Sequence, residues 1–323
     1  MVRYEASHES MGTVFTVAVY GRDRTFLSEV VEEVFEEVDR LDEQMSNYKP
    51  QSELSAINRE ASSHPVAVEP GLFHLLEISV HRSEETGGAF DITVGPLMKS
   101  WGFFRGRGRL PTRAEISQTL ERVGYQHLKL DGERRTISFD ESGVEIDLGG
   151  IAKGYAVDRA VEILRSNGIT SALVSSGTSS IYALGSPPGA RGWKITVRDP
   201  YDARKAGDVL HLQNYSVSIS GSYEKFFTIA GKNYCHIMNP HTGWPVSGLL
   251  STVVLGPTGT DTDGHSAGFF VMGVERGRKY LAVHPNLTVV FYLPSGAPPN
   301  YQRTLLRSDS YHLPPESIVE IDR

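Results

Sequence analysis

Apolar residues recur along this chain with two spacings, and the spacings sort it into strands and helices. Met11 to Tyr20 (M-G-T-V-F-T-V-A-V-Y) is dense in β-branched and aromatic residues, which predicts a strand. Phe26, Val30, Val34, Val38, Leu41 and Met45 then return every three or four positions among acidic residues. This predicts a long amphipathic helix ending near Ser46, with these six side chains in the core. The polar stretch Met45 to Asn58 predicts a turn and a short helix capped by Ser52. Leu72 to Thr86 predicts a second amphipathic helix, stopped by Gly87-Gly88. Ala114 to Val123 predicts a short helix, and His127 to Phe139 a hairpin.

The chain is organised around Val144 to Ala160 (V-E-I-D-L-G-G-I-A-K-G-Y-A-V-D-R-A). A short strand is expected to end at Ile146, Asp147 follows, Gly149 and Gly150 permit a tight turn, and Ile151 to Asn167 has helical spacing. The helix N-terminus, with Lys153 in its first turn, would stabilise an anion such as a phosphate. A plain tight turn with a solvated lysine fits the same residues, and neither the dinucleotide fingerprint nor the P-loop is matched.

Beyond this unit, strands are expected at Ser171 to Gly185, Trp193 to Val197, Val209 to Ile219, Leu249 to Leu255 and Leu287 to Leu293. Tyr223 to Tyr234 predicts a hairpin around Ala230-Gly231, and Ser266 to Met272 opens a helix. Strands outnumber helices without regular alternation, which favours an α+β fold with mixed or antiparallel sheets over a doubly wound parallel sheet. Loops at Arg105 to Arg109, Ser186 to Gly189 and Leu293 to Pro299 are too short to divide domains. The expectation is one unit over residues 1–323, or two intertwined α+β subdomains without a marked boundary.

A length of 323 residues with 39% hydrophobic content fits a globular chain, and a net charge of -7 without a Lys/Arg-rich block argues against nucleic acid as a partner. The single cysteine, Cys235, excludes an internal disulfide and a cysteine-rich zinc site. No stretch has the length of a transmembrane segment, and the first residues lack the apolar run of a signal peptide. The chain as written is expected to be cytoplasmic, although one trimmed of an export signal would read the same way.

Three segments offer chemistry. Gly88 to Phe103 mixes aromatics, Asp91 and glycines with no simple period, as a pocket wall or a packed loop would. His236, followed by the turn-forming Asn239-Pro240 and Thr242-Gly243, is placed at a strand end where a general base is accessible, while Cys235 should point the other way. A lone histidine is also often structural. Asp261, Asp263 and His265 suit Mg²⁺, or else Asp263 caps a helix and Asp261 is solvated.

In order along the chain stand M-G-T, M-S-N-Y-K-P-Q-S-E, G-A-F-D-I-T-V-G-P-L with W-G-F, D-L-G-G-I-A-K-G-Y-A-V-D, S-G-S-Y-E-K, H-I-M-N-P-H-T-G-W-P-V and D-G-H-S-A-G-F-F-V-M-G. Together these segments, from Met11 to Gly273, resemble the FAD:protein FMN transferases, also called ApbE-type flavin transferases. The resemblance implies an ApbE-like α+β fold and an enzyme that, with Mg²⁺, transfers the FMN part of FAD to a Thr or Ser hydroxyl of an acceptor flavoprotein, releasing AMP. It implies that Met11, Tyr48, Ala89, Phe90, Asp91, Asp147, Lys153 and Ile237 line the FAD site. By the same resemblance, Gly150 (through its carbonyl) and Asp263 hold the metal, and His236 assists transfer. The third metal position, a Thr in the family, is Ala267 here, so Ser266, His265 or water would substitute. Ser222, Lys225, Asn239, His241 and Thr178 also depart from the family pattern, which implies weaker metal binding or altered specificity. Metal-dependent FAD hydrolysis to FMN and AMP, and non-catalytic FAD binding, are the alternatives; an aromatic at Tyr48 speaks against hydrolysis.

Overall fold

The computed structural model describes residues 1–104 and 106–322. In chain order the strands are β1 (Val2–Ser10), β2 (Thr13–Gly21), β3 (Val66–Ala67), β4 (Leu128–Asp131), β5 (Thr136–Phe139), β6 (Ala172–Ser176), β7 (Ser180–Leu184) and β8 (Trp193–Arg198). They continue as β9 (Ala206–Gln213), β10 (Tyr215–Gly221), β11 (Phe226–Ile229), β12 (Lys232–Cys235), β13 (Ser251–Gly256), β14 (Thr288–Pro294), β15 (Tyr301–Arg307) and β16 (Ile318–Asp322). The helices are α1 (Arg24–Met45), α2 (Glu53–Glu60), α3 (Pro70–Glu85), α4 (Gly95–Ser100), α5 (Arg113–Leu120), α6 (Ala152–Ser166) and α7 (Gly259–Leu281).

One eight-stranded sheet, ordered β1-β2-β6-β7-β10-β13-β14-β15, draws strands from both ends of the chain. Its ladders are antiparallel, as in Val17 opposite Val174 and Val253 opposite Val290. Helices α1 and α6 pack Val31, Val34, Val38, Val157 and Val161 against Phe15, Val17 and Val174 on one face. Helix α7 extends that layer with Phe269 and Phe270 against Val254, Val289 and Phe291. The opposite face is covered by the small sheet β16-β9-β8, whose Trp193, Ile195, Leu210 and Leu212 meet Val217, Val253 and Tyr292. Cover on both faces explains why all six residues of β13 are buried instead of alternating. The α+β expectation therefore holds, with helices and a second sheet on opposite sides of an antiparallel sheet.

Several local expectations need correction. Phe26 is 43% exposed, while the other five residues of its stripe are buried, because Leu27 takes the inward position in the first turn of α1. Val144 to Ile146 is extended but belongs to no strand. The side chain of Asn58 takes the place of a neighbouring strand, donating to Ile146 O at 2.9 Å and accepting from Ile146 N at 2.8 Å. Val209 to Ile219 is two strands in two sheets, because Asn214 adopts a φ of 48° between β9 and β10. Helix α7 begins at Gly259, seven residues before the expected opening, under a Thr258 N-cap. Of the loop expected at Arg105 to Arg109, Arg105 lies outside the described residues, and Gly106, Arg107 and Arg109 are exposed.

Candidate active site

The site is assembled where α6 crosses α7. Helix α6 starts after Leu148-Gly149-Gly150, and Ile151 supplies no side-chain cap. The missing partner comes from α7: Asp263 Oδ2 accepts from Gly154 N at 2.9 Å. An anion does occupy the helix N-terminus, as elementary electrostatics requires, but it is the protein's own carboxylate. Asp263 is 3% exposed and sits inside α7, so it caps the neighbouring helix and not its own. Its Oδ1 takes no hydrogen bond among the described residues.

The glycines at this crossing are dictated by contact. A Cβ on Gly154 would stand 2.1 Å from Gly259 O and 2.6 Å from Asp263 Cβ. A Cβ on Gly150 would meet Phe90 at 3.5 Å and Ala267 at 3.7 Å, which places Gly150, Phe90 and the 267 position around one small space beside Asp263. Lys153 Nζ donates to Gly149 O at 3.0 Å, one turn back.

His236 directly follows β12 and lies within reach of the Lys153 charge. Its Nδ1 lies 3.1 Å from Lys225 O, and since a carbonyl only accepts, Nδ1 carries the proton and Nε2 presents a lone pair. Its backbone N–H donates to the same carbonyl at 3.0 Å. Burial, assisted by the positive charges of Lys153 and Lys225, pushes the imidazole down to about 4, so it is neutral at physiological pH. The Lys153 charge acting on His236 puts the α6 N-terminus and the histidine in one electrostatic environment.

Other expected residues take distinct places. Met11 (φ 50°) and Gly12 (φ 68°) form the β1–β2 turn, with Met11 packed on the helical core. Ala89, Phe90 and Ile237 are buried wall. Asp91 is buried with both oxygens engaged: Oδ1 accepts from Thr93 N and Oγ1 at 2.8 and 2.6 Å, and Oδ2 from Tyr125 N at 2.8 Å. Desolvation pushes its carboxyl up. Asp147 Oδ1 accepts from Gly149 N at 2.8 Å and shapes the turn. Tyr48 stacks on Phe104 with centroids 4.7 Å apart. Burial and the Asp147 charge push the Tyr48 phenol up, linking it to the turn. Beside this stack lies a polar cleft of about 270 Å³ bordered by Asn58, Arg59, Lys99 and Glu145.

Two of the three proposed substitutes for a ligand at 267 are committed elsewhere. His265 donates through Nδ1 to Asp261 O at 2.7 Å and accepts at Nε2 from Arg82 Nη1 (2.9 Å) and Tyr280 OH (2.7 Å). Ser266 Oγ donates to Asp263 O at 2.9 Å and lies 2.8 Å from Ser220 Oγ. Asp261, partly exposed, is not left to solvent alone; it pairs with Arg82 at 2.6 Å. Among the described residues no group of three or more His, Cys, Asp or Glu gathers to hold a metal. A hard cation would thus be held by the free oxygen of Asp263 and by backbone oxygens such as Gly150 O, completed by water or by a ligand's phosphates. The donor set fits such an ion.

A family model described as the ApbE family matches residues 11–291. The chain belongs to that family. A FAD:protein FMN transferase of Treponema pallidum (strain Nichols) is 31% identical over 307 residues, 90% of this chain and 84% of the relative. One from Vibrio cholerae (serotype O1, strain O395) is 33% identical over 279 residues, 84% of this chain and 82% of the relative. The solved ApbE protein of Thermotoga maritima superposes with a TM-score of 0.86 at 30% identity, covering 96% of this chain and 98% of its own.

At two of the departures from the ApbE pattern the local bonding is explicit. At Lys225 it is the backbone carbonyl that orients His236. At Asn239 the side-chain oxygen receives His241 N at 2.9 Å and Thr242 N at 3.3 Å, holding the turn as an aspartate would. The residues that sequence reasoning missed are Gly154, Gly259, Asp158, Asn58 and Phe104. Gly154 alone left a signal, since a glycine inside a helix costs about 1 kcal/mol against alanine and asks for a reason.

Proposed function

We propose that this ApbE-family chain is a Mg²⁺-dependent FAD:protein FMN transferase that attaches FMN to a Thr or Ser hydroxyl of an acceptor flavoprotein. The observation that carries the reading is His236. Its Nδ1 is pinned by Lys225 O, its Nε2 is free, and its imidazole is held neutral within the field of Lys153. In the reaction the acceptor oxygen bonds to the phosphorus on the FMN side of FAD while its proton passes to Nε2. The bond from that phosphorus to the bridging oxygen breaks, and AMP leaves with that oxygen. A proton acceptor in this position contributes roughly a hundred- to ten-thousand-fold.

The other residues bind and orient. Lys153 and the first turn of α6 lie beside the path of the pyrophosphate, and Phe90 and Ile237 wall it. Tyr48, already stacked on Phe104, offers a ring face to the flavin or adenine. Asp263 Oδ1 and Gly150 O would hold Mg²⁺, which supplies charge neutralisation at the pyrophosphate and polarises the phosphorus. Incubation with FAD, Mg²⁺ and an acceptor flavoprotein should yield a flavin-fluorescent band after denaturing electrophoresis. AMP and FMN without an adduct would assign hydrolysis, and tight FAD binding with neither product would leave a binding protein only.

A further inference from the structure

Helices α6 and α7 carry the same short pattern at their crossing: Gly154-Tyr155-Ala156-Val157-Asp158 and Gly259-Thr260-Asp261-Thr262-Asp263. Each is a glycine followed four residues later by an aspartate, so both residues lie on one helix face. The two patterns cap each other. Asp263 accepts from Gly154 N at 2.9 Å, and Asp158 Oδ1 accepts from Gly259 N at 2.6 Å. Asp158 Oδ2 also receives Thr260 N at 2.7 Å and Thr260 Oγ1 at 2.6 Å. The glycines seal the joint from both sides, since a Cβ on Gly259 would stand 2.5 Å from Gly154 O.

The geometry points to Asp158 as a positioning residue for the metal carboxylate: by clamping the first turn of α7 it fixes where Asp263 Oδ1 stands relative to Gly150 and the 267 position. Asp263 lies one turn above Gly259 on the same face, so any slide of the clamped turn moves the ligand. The arrangement matters more here than in a site with three side-chain ligands, because Ala267 offers no oxygen and one carboxylate must be held accurately. Both Asp158 oxygens are spent on the first turn of α7, so its part is to position and not to ligate. The inference rests on the transferase reading only for what the metal does, and not for whether the ion binds.

The test uses the full chain and Mn²⁺ as a spectroscopic probe, titrated by electron paramagnetic resonance with FAD present, alongside transfer kinetics. Asp158→Asn keeps size but leaves an N–H facing an N–H donor. It is expected to weaken Mn²⁺ binding on the order of ten- to a hundredfold, as loss of a ligand-orienting partner does elsewhere. The KM for Mg²⁺ should rise in parallel, with kcat at saturating Mg²⁺ within about threefold of wild type. Thr260→Val, which removes one of the bonds and keeps the backbone caps, is expected to fold and to show a smaller loss in the same direction. Unchanged Mn²⁺ affinity in both variants overturns the inference, as does a fall in kcat and melting temperature with metal affinity intact. A wild-type chain that binds no Mn²⁺ with FAD overturns it too, whereas metal binding without transfer overturns only the proposed activity.

Discussion

Replacing Gly154 by alanine tests the joint on which the site depends. The added Cβ would stand 2.1 Å from Gly259 O, and ordinary contact begins at 3.4 Å. Both flanking groups are backbone or Cβ, so no flexible side chain can yield, and the helices must part by about 1 Å. Such a shift carries the 2.9 Å bond to Asp263 and the 2.6 and 2.7 Å bonds to Asp158 past hydrogen-bonding distance. Overpacking costs roughly 1–3 kcal/mol, and loss of the two caps about 1 kcal/mol each. The better helix propensity of alanine returns about 1 kcal/mol. The net, roughly 2–4 kcal/mol, corresponds to a drop in melting temperature of about 3–6 °C for a chain of this length. Gly264→Ala is the control, since its Cβ would make only ordinary contacts, with Ile151 at 3.4 Å and Arg82 at 3.8 Å; calorimetry should find it unchanged or more stable by up to about 1 kcal/mol. A Gly154→Ala protein that melts with the wild type and keeps its Mn²⁺ affinity would show that the crossing is looser than described.

His236→Ala should slow transfer by roughly a hundred- to ten-thousand-fold while FAD affinity, measured by flavin fluorescence quenching, is largely kept. The neutral imidazole is the active form, so activity should not fall with an ordinary histidine pKa near 6.5 but only as pH approaches about 4. Lys153→Met removes a cationic neighbour, favours the imidazolium and should move that acid limb upward; a wild-type limb at 6.5 would refute the assignment. Because unfolded histidine takes its proton near 6.5 and folded His236 only near 4, its contribution to stability is present above 6.5 and lost as pH falls through that window, which urea midpoints of wild type and His236→Gln should separate. Asp263→Ala should lower activity and metal dependence together. Trp101→Phe removes the 2.8 Å bond from Nε1 to Gly243 O in a fully buried setting and should cost about 1–3 kcal/mol in chemical denaturation.

How much of this was legible in the sequence depends on whether a segment announced its own period. Helix α1 did, because Val30, Val34, Val38 and Leu41 repeat at helical spacing against one sheet face. Strand β1 did not: Arg3, Glu5, His8 and Glu9 belong to an edge strand with its apolar content thinned, and only pairing with β2 reveals it. The start of α7 was hidden because Gly259 to Ser266 is polar by composition yet, all but Asp261, buried. Thr262 spends its hydroxyl on Ser216 and Ser218 of β10, at 3.0 and 2.8 Å. A segment whose polar groups are satisfied by tertiary partners looks like a surface turn until those partners are in place. The motifs pointed to candidate residues, but not to the fact that Asp263, a ligand candidate, also caps another helix.

That double role changes the electrostatics of the cradle. A bare helix N-terminus beside Lys153 would attract a pyrophosphate without help. Here the Asp263 carboxylate already sits against the α6 N–H groups, Asp147 adds a second negative charge at the turn, and His236 is neutral. Lys153, with Lys225 also acting on His236, then only offsets these two negative charges, a balance that offers a further dianion little net attraction. A divalent cation on Asp263 Oδ1 would turn that balance positive, so that anionic substrate and cation would favour each other there. FAD affinity should therefore rise with Mg²⁺ in the wild type, whereas in Asp263→Ala, with the α6 N-terminus uncovered, metal-free FAD binding should be as tight or tighter.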